Sequence, residues 1–142
     1  MRAELVEAVR SAWGFDDDDP IELGTPRTAW TTYPQAAIYT NPVEREFVGP
    51  RIVEESYLFE IEGRFPLPSD GTLDDLKLDR ARELGELLCP PAVEGSTIAS
   101  PSILVSGCFL PHVSTVDFGS DEDSDSYYSV RLAFSVRCHV LQ

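Results

Sequence analysis

Two runs of carboxylates are the side chains of this 142-residue sequence most suited to binding a metal ion. One run has the alternation with which a calcium-binding loop begins, and it consists of Asp121, Glu122, Asp123 and Asp125. Ser126 stands where that loop requires glycine, and Leu132 stands where it requires a bidentate glutamate. The other run, residues 16–19, could hold a hard cation only weakly. We therefore predict no metal site, and we interpret the first run as the solvated tip of a hairpin.

The two histidines, His112 and His139, are the candidates for acid–base catalysis. A nucleophile triad would need one of them beside a serine or cysteine and a carboxylate, but no G-x-S-x-G turn is present. His139 alternates with the apolar residues of a predicted strand, so we expect it to face solvent. Glycine-rich phosphate-binding patterns are also absent from the sequence. We predict no catalytic or cofactor-binding residue, and a protein that is not an enzyme.

A formal net charge of −14, from 25 acidic and 11 basic residues, is the main feature of the composition. A surface of this charge repels the phosphates of nucleic acids and the head groups of anionic lipids. We therefore expect no direct DNA or RNA binding and no membrane partner. Negative charge also keeps a protein soluble, and an acidic surface could line a passage through which DNA moves without binding.

Three cysteines, Cys89, Cys108 and Cys138, are an odd number at long spacings. This pattern fits neither a disulfide framework nor a C-x-x-C zinc or redox site, so we expect reduced thiols in a cytoplasm. Residues 1–20 lack the apolar segment of a signal peptide, and no run of about 18 apolar residues occurs. We expect a protein that is neither exported by a signal peptide nor membrane-spanning.

Two stretches have the 3.6-residue period of amphipathic helices. Residues 2–13 place Leu5, Val9 and Trp13 on one face. A second helix is predicted to begin after Thr72, where a capping-box pattern places carboxylates at the helix N-terminus, and to end at a pair of prolines. Its apolar positions are Leu73, Leu76, Ala81, Leu84, Leu87 and Leu88.

Four segments are predicted as strands because apolar and polar residues alternate along them or because they are rich in β-forming residues. They are residues 36–39, 52–65, 103–118 and 127–141. Residues 41–50 contain proline and glycine and predict a long connection that protrudes as an arm. The arrangement that buries the apolar faces is an antiparallel β-sheet with two α-helices packed on one face, in the order α-β-β-α-β-β. We predict one α+β domain over residues 1–142.

Seven residues are candidates for contact with another subunit or with a tube of subunits. Trp30 and Phe47 are aromatic residues in predicted non-periodic segments, where an exposed aromatic ring can anchor a protein contact. The connection around Phe47 is long enough to reach a neighbour. The candidate interface residues are Trp30, Val43, Glu44, Arg45, Glu46, Phe47 and Val48.

Several features of the sequence, taken in chain order, together resemble a known protein family over most of the chain. A short N-terminal helix is followed by the segment TPRTAW at residues 25–30, by two strands joined through the arm, by a second helix and by a long last strand. The strand-like stretches RIVEESYLFEI (residues 51–61) and YSVRLAFSV (residues 128–136) are the most typical. Together they resemble the tail terminator proteins, which belong to the tail-completion and minor tail proteins of long-tailed bacteriophages.

The resemblance implies a structural role in virion assembly. Such a protein forms a hexameric ring that stops polymerisation of the tail tube, with the sheet continuing around the ring. Its partners are other copies of itself, the tail tube protein and the head–tail connector or neck protein, and DNA is only passing cargo. The resemblance implies no catalytic residue, and it implies assembly in the host cytoplasm and a final location in the virion tail.

Three other functions are compatible with the sequence. A neck or head-closure connector protein would share the acidity, the size and the ring. A monomeric adaptor or inhibitor outside phages would bind its partner through an edge strand. A small enzyme would lose turnover when His112 or His139 is changed. A stable monomer would favour the last two functions.

Overall fold

Two helices and six strands are present in the part of the chain that the structure describes. The computed structural model describes residues 2–24, 32–68, 73–89, 108–117 and 127–142. In chain order the elements are α1 (Arg2–Trp13), β1 (Ile21–Leu23), β2 (Gln35–Thr40), β3 (Glu44–Gly49), β4 (Ile52–Pro66), α2 (Leu73–Leu88), β5 (Cys108–Asp117) and β6 (Tyr127–Leu141). The predicted α+β class and both predicted helices are confirmed.

The strands form one sheet in which β4 and β6 are the central pair. The order is β1-β2-β4-β6-β5, and β3 also pairs with β4. β6 occupies one edge of β4 along its whole length, so β2 and β3 share the other edge. β1 runs parallel to β2, whereas the other pairs are antiparallel. The sheet is therefore mixed.

Two parts of the fold prediction were wrong. The sheet is not purely antiparallel, and the order is α-β-β-β-β-α-β-β rather than α-β-β-α-β-β. The prediction missed β1 because its three residues are too few to show a two-residue period. It missed β3 because both faces of that strand are exposed, so apolar and polar residues do not alternate along it.

β4 and β6 pair over fifteen residues each, from Ile52 opposite Leu141 to Pro66 opposite Tyr127. Their apolar side chains meet on one face, where the rings of Phe59 and Phe134 stack. A shift of one residue would turn every apolar side chain of a strand to the other face, so the alternation fixes the register. Both strands were predicted from this alternation and are confirmed.

The hydrophobic core lies where both helices meet this apolar face. Its fully buried members come from α1, α2, β2, β4 and β6 and include Leu5, Val9, Ile38, Ile61, Leu84, Leu88, Val130 and Phe134. Each such side chain contributes about 1.5–3 kcal/mol through its removal from water. Lys77 of α2 is also buried, which the apolar period did not predict. The helix period therefore selects the buried face, but burial extends beyond the apolar positions.

The acidic residues after α1 form a closed loop. Gly14 has a φ of 65°, a conformation that glycine adopts without strain, and it follows the last residue of the helix. Arg10 donates hydrogen bonds to the carbonyls of Asp16 and Asp19, and the Asp16 amide donates to Asp19 Oδ2 at 2.8 Å. The Arg10 guanidinium and the Asp16 amide therefore fix the conformation of this loop.

Candidate functional site

The hairpin of β3 with the first residues of β4 is the candidate interaction surface, and residues 44–56 are called the arm below. The register runs from Glu44 opposite Ser56 to Gly49 opposite Ile52. Arg51 in the turn has a φ of 64°, the left-handed conformation that reverses the chain direction here. The predicted connection is thus a strand for most of its length, because the first half of β4 offers it a pairing edge.

The arm exposes apolar side chains to solvent, which do not contribute to its core. Phe47 is 73% exposed and Val48 is 49% exposed. Among the described residues β3 pairs with β4 alone, so its outer edge presents backbone N–H and C=O groups without strand partners. An exposed aromatic ring beside an open edge is suited to contact with another protein chain.

A buried carboxylate supports the arm on the face that carries the core. Glu55 is buried and accepts a hydrogen bond from the hydroxyl of Tyr57 at 2.6 Å. This hydrogen bond and partial burial raise the pKa of Tyr57 above its usual value. Arg45 lies 3.6 Å from the same carboxylate and provides the opposite charge from β3. The contacts link β3 to β4 and make the arm a continuation of the sheet.

The other face of the arm carries an ionic cluster that involves β6. Glu54 accepts a hydrogen bond from Arg137 at 3.2 Å, and its second oxygen lies 3.2 Å from His139 Nε2. Glu46 stands directly opposite Glu54, so two like charges face each other across the hairpin. The cations of β6 offset this repulsion, because they lie on the other side of Glu54.

A second buried carboxylate lies farther along β4. The Glu62 side chain is 3% exposed, and Arg131 Nε donates to its Oε1 at 2.9 Å. Arg64 Nη2 lies 3.9 Å from the same oxygen. Burial and the nearby Glu62 charge raise the pKa of Tyr39, which also hydrogen-bonds to Glu62. Arg131 and Arg64 neutralise the Glu62 charge, and the Tyr39 hydroxyl donates a hydrogen bond to it. We therefore interpret this cluster as structural.

A groove lies at the base of the arm, and it is lined by the connection from β2 to β3 together with residues of β4, β5 and β6. Its volume is about 670 Å³. The residues that line it include Asn41, Glu44, Leu58, His112, Ser135 and Arg137. Leu58 is 40% exposed, so the groove offers apolar surface beside polar and cationic groups.

The histidines are separated in the fold. His112 lies opposite Ser135 and lines the groove, whereas His139 lies opposite Glu54 at the arm. His139 is on the solvent-facing side of β6, as predicted. Within the described ranges, no group of three or more histidine, cysteine or carboxylate side chains has the geometry of a metal site.

The cysteine prediction was wrong for Cys138. This residue is disulfide-bonded, whereas Cys89 remains a thiol. Cys108 is the residue of β5 directly opposite Cys138 in the register. The prediction used the number and spacing of the cysteines, which do not show which strands are adjacent in the sheet.

The predicted interface residues fall into two groups. Five of them, Glu44, Arg45, Glu46, Phe47 and Val48, lie on β3, and Val43 lies directly before it. All six are exposed, and along β3 successive side chains point to opposite faces of the arm. Trp30 and the predicted hairpin tip, with Asp121, Glu122, Asp123 and Asp125, lie outside the described residues. The groove and the two carboxylate clusters were not predicted, because they depend on the strand register.

Comparison with known proteins gives no identification. No protein-family model matches the chain, and no curated protein is significantly similar to it. Among the helices that the structure describes, none is long and apolar enough to cross a membrane. The functional interpretation therefore depends on the sheet edges, the arm and the groove.

Proposed function

We propose that this chain is a structural subunit of a bacteriophage tail, where it forms a closed ring that completes the tail tube and joins it to the head-side connector. The ring contains six copies, as the resemblance to tail terminator proteins implies. The proposed partners are further copies of the chain, the tail tube protein and the connector or neck protein. The ring assembles in the host cytoplasm and remains in the virion tail.

Two open edges of one sheet are the observation that carries the proposal. One edge of the sheet is formed by β1 and, farther along β4, by β3, and β5 lies at the opposite edge. Within the described part of the chain, each of these strands pairs on one side only. When a subunit joins two different surfaces head to tail, the contact generates a ring if the rotation closes. The sheet provides such a pair of surfaces.

Phe47 supports the proposal as the anchor of the subunit contact. Its ring is exposed at the outer strand of the arm, where it has little contact with its own core. Aromatic residues dominate the energy of protein interfaces once they are buried by a partner. With its neighbour Val48, which is also exposed, Phe47 gives the arm apolar surface that a partner can bury.

The charge supports a ring around a DNA passage. With a net charge of −14, the chain repels DNA phosphates rather than retaining them. DNA would pass through the open centre as cargo without a specific binding site. This chemistry suits a subunit that must let the genome leave the head.

The assembly step is tested by measuring molar mass with light scattering while protein concentration is raised. The wild-type chain is expected to form a defined oligomer, and Phe47→Asp is expected to remain monomeric because a charge at the anchor opposes burial. Leu78→Asp is the matched control, since Leu78 is 47% exposed on α2. Both variants should unfold at the wild-type temperature. If the two variants oligomerise to the same extent, the arm is not part of the interface.

The tail role is tested separately by adding the protein to polymerising tail tube protein from the same phage. A terminator is expected to bind one tube end and stop growth, so the tubes become shorter as its concentration rises. A neck connector would instead bind the portal-side complex and leave tube growth unchanged.

A monomeric adaptor is the second candidate, because the open edge of β3 could also receive a strand from an unrelated partner. A chain that stays monomeric at high concentration and in the presence of tail tubes would favour the adaptor.

A further inference from the structure

We infer that the cysteine bonded to Cys138 is Cys108, and that this disulfide is a redox-sensitive restraint on the outer end of β5. In the oxidised chain the bond holds that end against β6, and in the reduced chain the end can open. The restraint follows from the pairing of two strands, and only its effect on assembly rests on the proposed ring.

The number of cysteines and the strand register identify the partner of Cys138. The chain has three cysteines, of which Cys138 is disulfide-bonded and Cys89 is a free thiol, which leaves Cys108. Cys108 of β5 is directly opposite Cys138 of β6. Directly opposite residues of antiparallel strands have Cα atoms about 4.5–5.5 Å apart, and a disulfide requires about 4.4–6.8 Å. The register therefore permits this bond without movement of the backbone.

Strand pairing alone holds the outer end of β5 weakly. In the part of the chain that the structure describes, β5 is an edge strand that pairs with β6 only. The register shifts between Phe109 and His112, where β5 contains one residue more than β6. Pro111 lies in this interval and has no backbone N–H to donate to the ladder. Among the described residues only Cys108 and Phe109 are paired beyond the shift, so a covalent bond is the stronger restraint on this end.

The bond joins this end of β5 to the centre of the sheet. Cys138 packs against the hydrophobic core, and on its other side it lies opposite Glu55 of β4. The long β4–β6 ladder keeps Cys138 in place in either redox state. Reduction is therefore expected to release β5 rather than β6.

The bond is accessible to small thiols. Cys138 is half-buried rather than enclosed, and accessible disulfides are the ones that exchange readily. A cytoplasm keeps thiols reduced, whereas disulfides persist in oxidising surroundings. The chain is therefore expected to be reduced in a cytoplasm and oxidised outside it.

Oxidation proceeds by exchange with a small disulfide such as oxidised glutathione. One cysteine thiolate attacks the small disulfide, forms a mixed disulfide and displaces the first small thiolate. The second cysteine thiolate attacks the cysteine sulfur of the mixed disulfide and displaces the second small thiolate. Two cysteine thiols are thereby oxidised, one small disulfide is reduced to two thiols, and the two protons pass to the leaving thiolates. Excess small thiol reverses the reaction.

The restraint acts on one of the sheet edges that the proposed ring uses. β5 forms the edge opposite β1 and β3. A cross-link lowers the conformational entropy of the opened strand, so the closed edge is favoured in the oxidised chain. If the ring forms through this edge, the oxidised chain should self-associate about tenfold or more tightly than the reduced chain.

Peptide mapping tests the pairing. The purified full chain is incubated with oxidised glutathione, free thiols are blocked with iodoacetamide, and the protein is digested without reductant. A disulfide-linked pair of peptides that contain Cys108 and Cys138 is expected, with Cys89 outside the linkage. A bond between Cys138 and Cys89, or alkylation of all three cysteines, would overturn the inference.

Hydrogen exchange tests the restraint itself. Amide exchange of residues 108–110 is measured in the oxidised chain and after treatment with a phosphine reductant without denaturant. Reduction should accelerate exchange there about tenfold or more and leave the central residues of β6 protected. Cys108→Ser should exchange rapidly with or without reductant. Cys89→Ser is the matched control and should respond as the wild type does.

Two exchange results would contradict the restraint. Equal exchange of residues 108–110 in the oxidised and reduced chains would show that the bond does not hold this end. Loss of protection throughout β4 and β6 on reduction would show that the bond stabilises the whole fold rather than the end of β5. Circular dichroism of both redox states distinguishes the second result from local opening.

Molar mass measured in both redox states separates the restraint from the proposed ring. Faster exchange on reduction, in a chain that stays monomeric in both states and with tail tube protein present, would support the restraint and contradict the ring. Oligomers in both states, with exchange unaffected by reduction, would support self-assembly and contradict the restraint. Oligomers that weaken on reduction, together with faster exchange, would support both.

Discussion

Trp13 and Arg80 hydrogen-bond to each other through two reciprocal contacts that fasten α1 to α2. The indole Nε1–H of Trp13 donates to the Arg80 carbonyl at 2.8 Å, and Arg80 Nη1 donates to the Trp13 carbonyl at 3.0 Å. The Arg80 guanidinium also lies over the ring of Phe65, 4.5 Å from its centroid. The last turn of α1 is thereby joined both to the second helix and to the sheet.

Gly63 gives Trp13 room to reach the sheet, so Gly63→Ala should destabilise the fold. A Cβ atom at residue 63 would lie 2.5 Å from Cζ3 of Trp13 and 3.0 Å from the ring of Phe65. Overpacking of this kind typically costs about 1–3 kcal/mol. Urea unfolding measures the loss. The control is Gly85→Ala. A Cβ atom at residue 85 would lie 3.7 Å from the nearest side-chain atom, so it fits without overpacking. Alanine in a helix should instead raise the free energy of unfolding by about 0.5–1 kcal/mol.

Removing the Arg80 guanidinium should loosen the link between the helices. Arg80→Gln cannot reproduce both the hydrogen bond to the Trp13 carbonyl and the stacking on Phe65, so we expect a loss of about 1–3 kcal/mol. Arg82→Gln, at an exposed position of the same helix, should change the free energy of unfolding by no more than about 0.5 kcal/mol. Equal losses in the two variants would show that the reciprocal contact is not stabilising.

Neutralising Glu62 should cost more than neutralising Glu54. Glu62→Gln leaves the guanidiniums of Arg131 and Arg64 beside a buried amide, so a loss of about 1–3 kcal/mol is expected. Glu54→Gln removes a more exposed pair with Arg137 and should cost about 1 kcal/mol or less. Chemical unfolding of both variants checks the order. A larger loss for Glu54→Gln would contradict a structural role for Glu62.

The Tyr57–Glu55 contact should make stability fall at alkaline pH. The hydrogen bond to Glu55 raises the pKa of Tyr57 above 10.0, so the folded state holds the phenolic proton more tightly than the unfolded state does. Its contribution is therefore fully present below about pH 10 and is lost as the pH rises through the raised pKa. Tyr57→Phe should show a shallower decrease in unfolding free energy above about pH 10. Parallel pH profiles of variant and wild type would contradict this assignment.

The sequence predicts the elements whose periods extend over many residues. α1, α2, β4 and β6 are 12 to 16 residues long, so their apolar positions repeat often enough to define a face. β1 is too short for a period, and its parallel pairing depends on the path between β1 and β2 rather than on local composition. These tertiary relationships could not be inferred from local patterns.

The candidate site was predicted only in part for the same reason. Phe47 was identified because an aromatic residue stood in a segment without a period. The groove and the Glu62–Arg131 pair depend on strand register, and those two residues are 69 positions apart. Sequence spacing carries no information about such pairs until β4 and β6 are aligned.

Negative-stain imaging of the purified chain at high concentration is the most direct test of the central claim that it forms a closed ring. The proposal predicts particles with an open centre and six-fold symmetry. Phe47→Asp should abolish these particles, while Leu78→Asp should preserve them. Uniform monomers, both alone and after addition of the tail tube protein, would contradict the account and favour an adaptor that binds through β3.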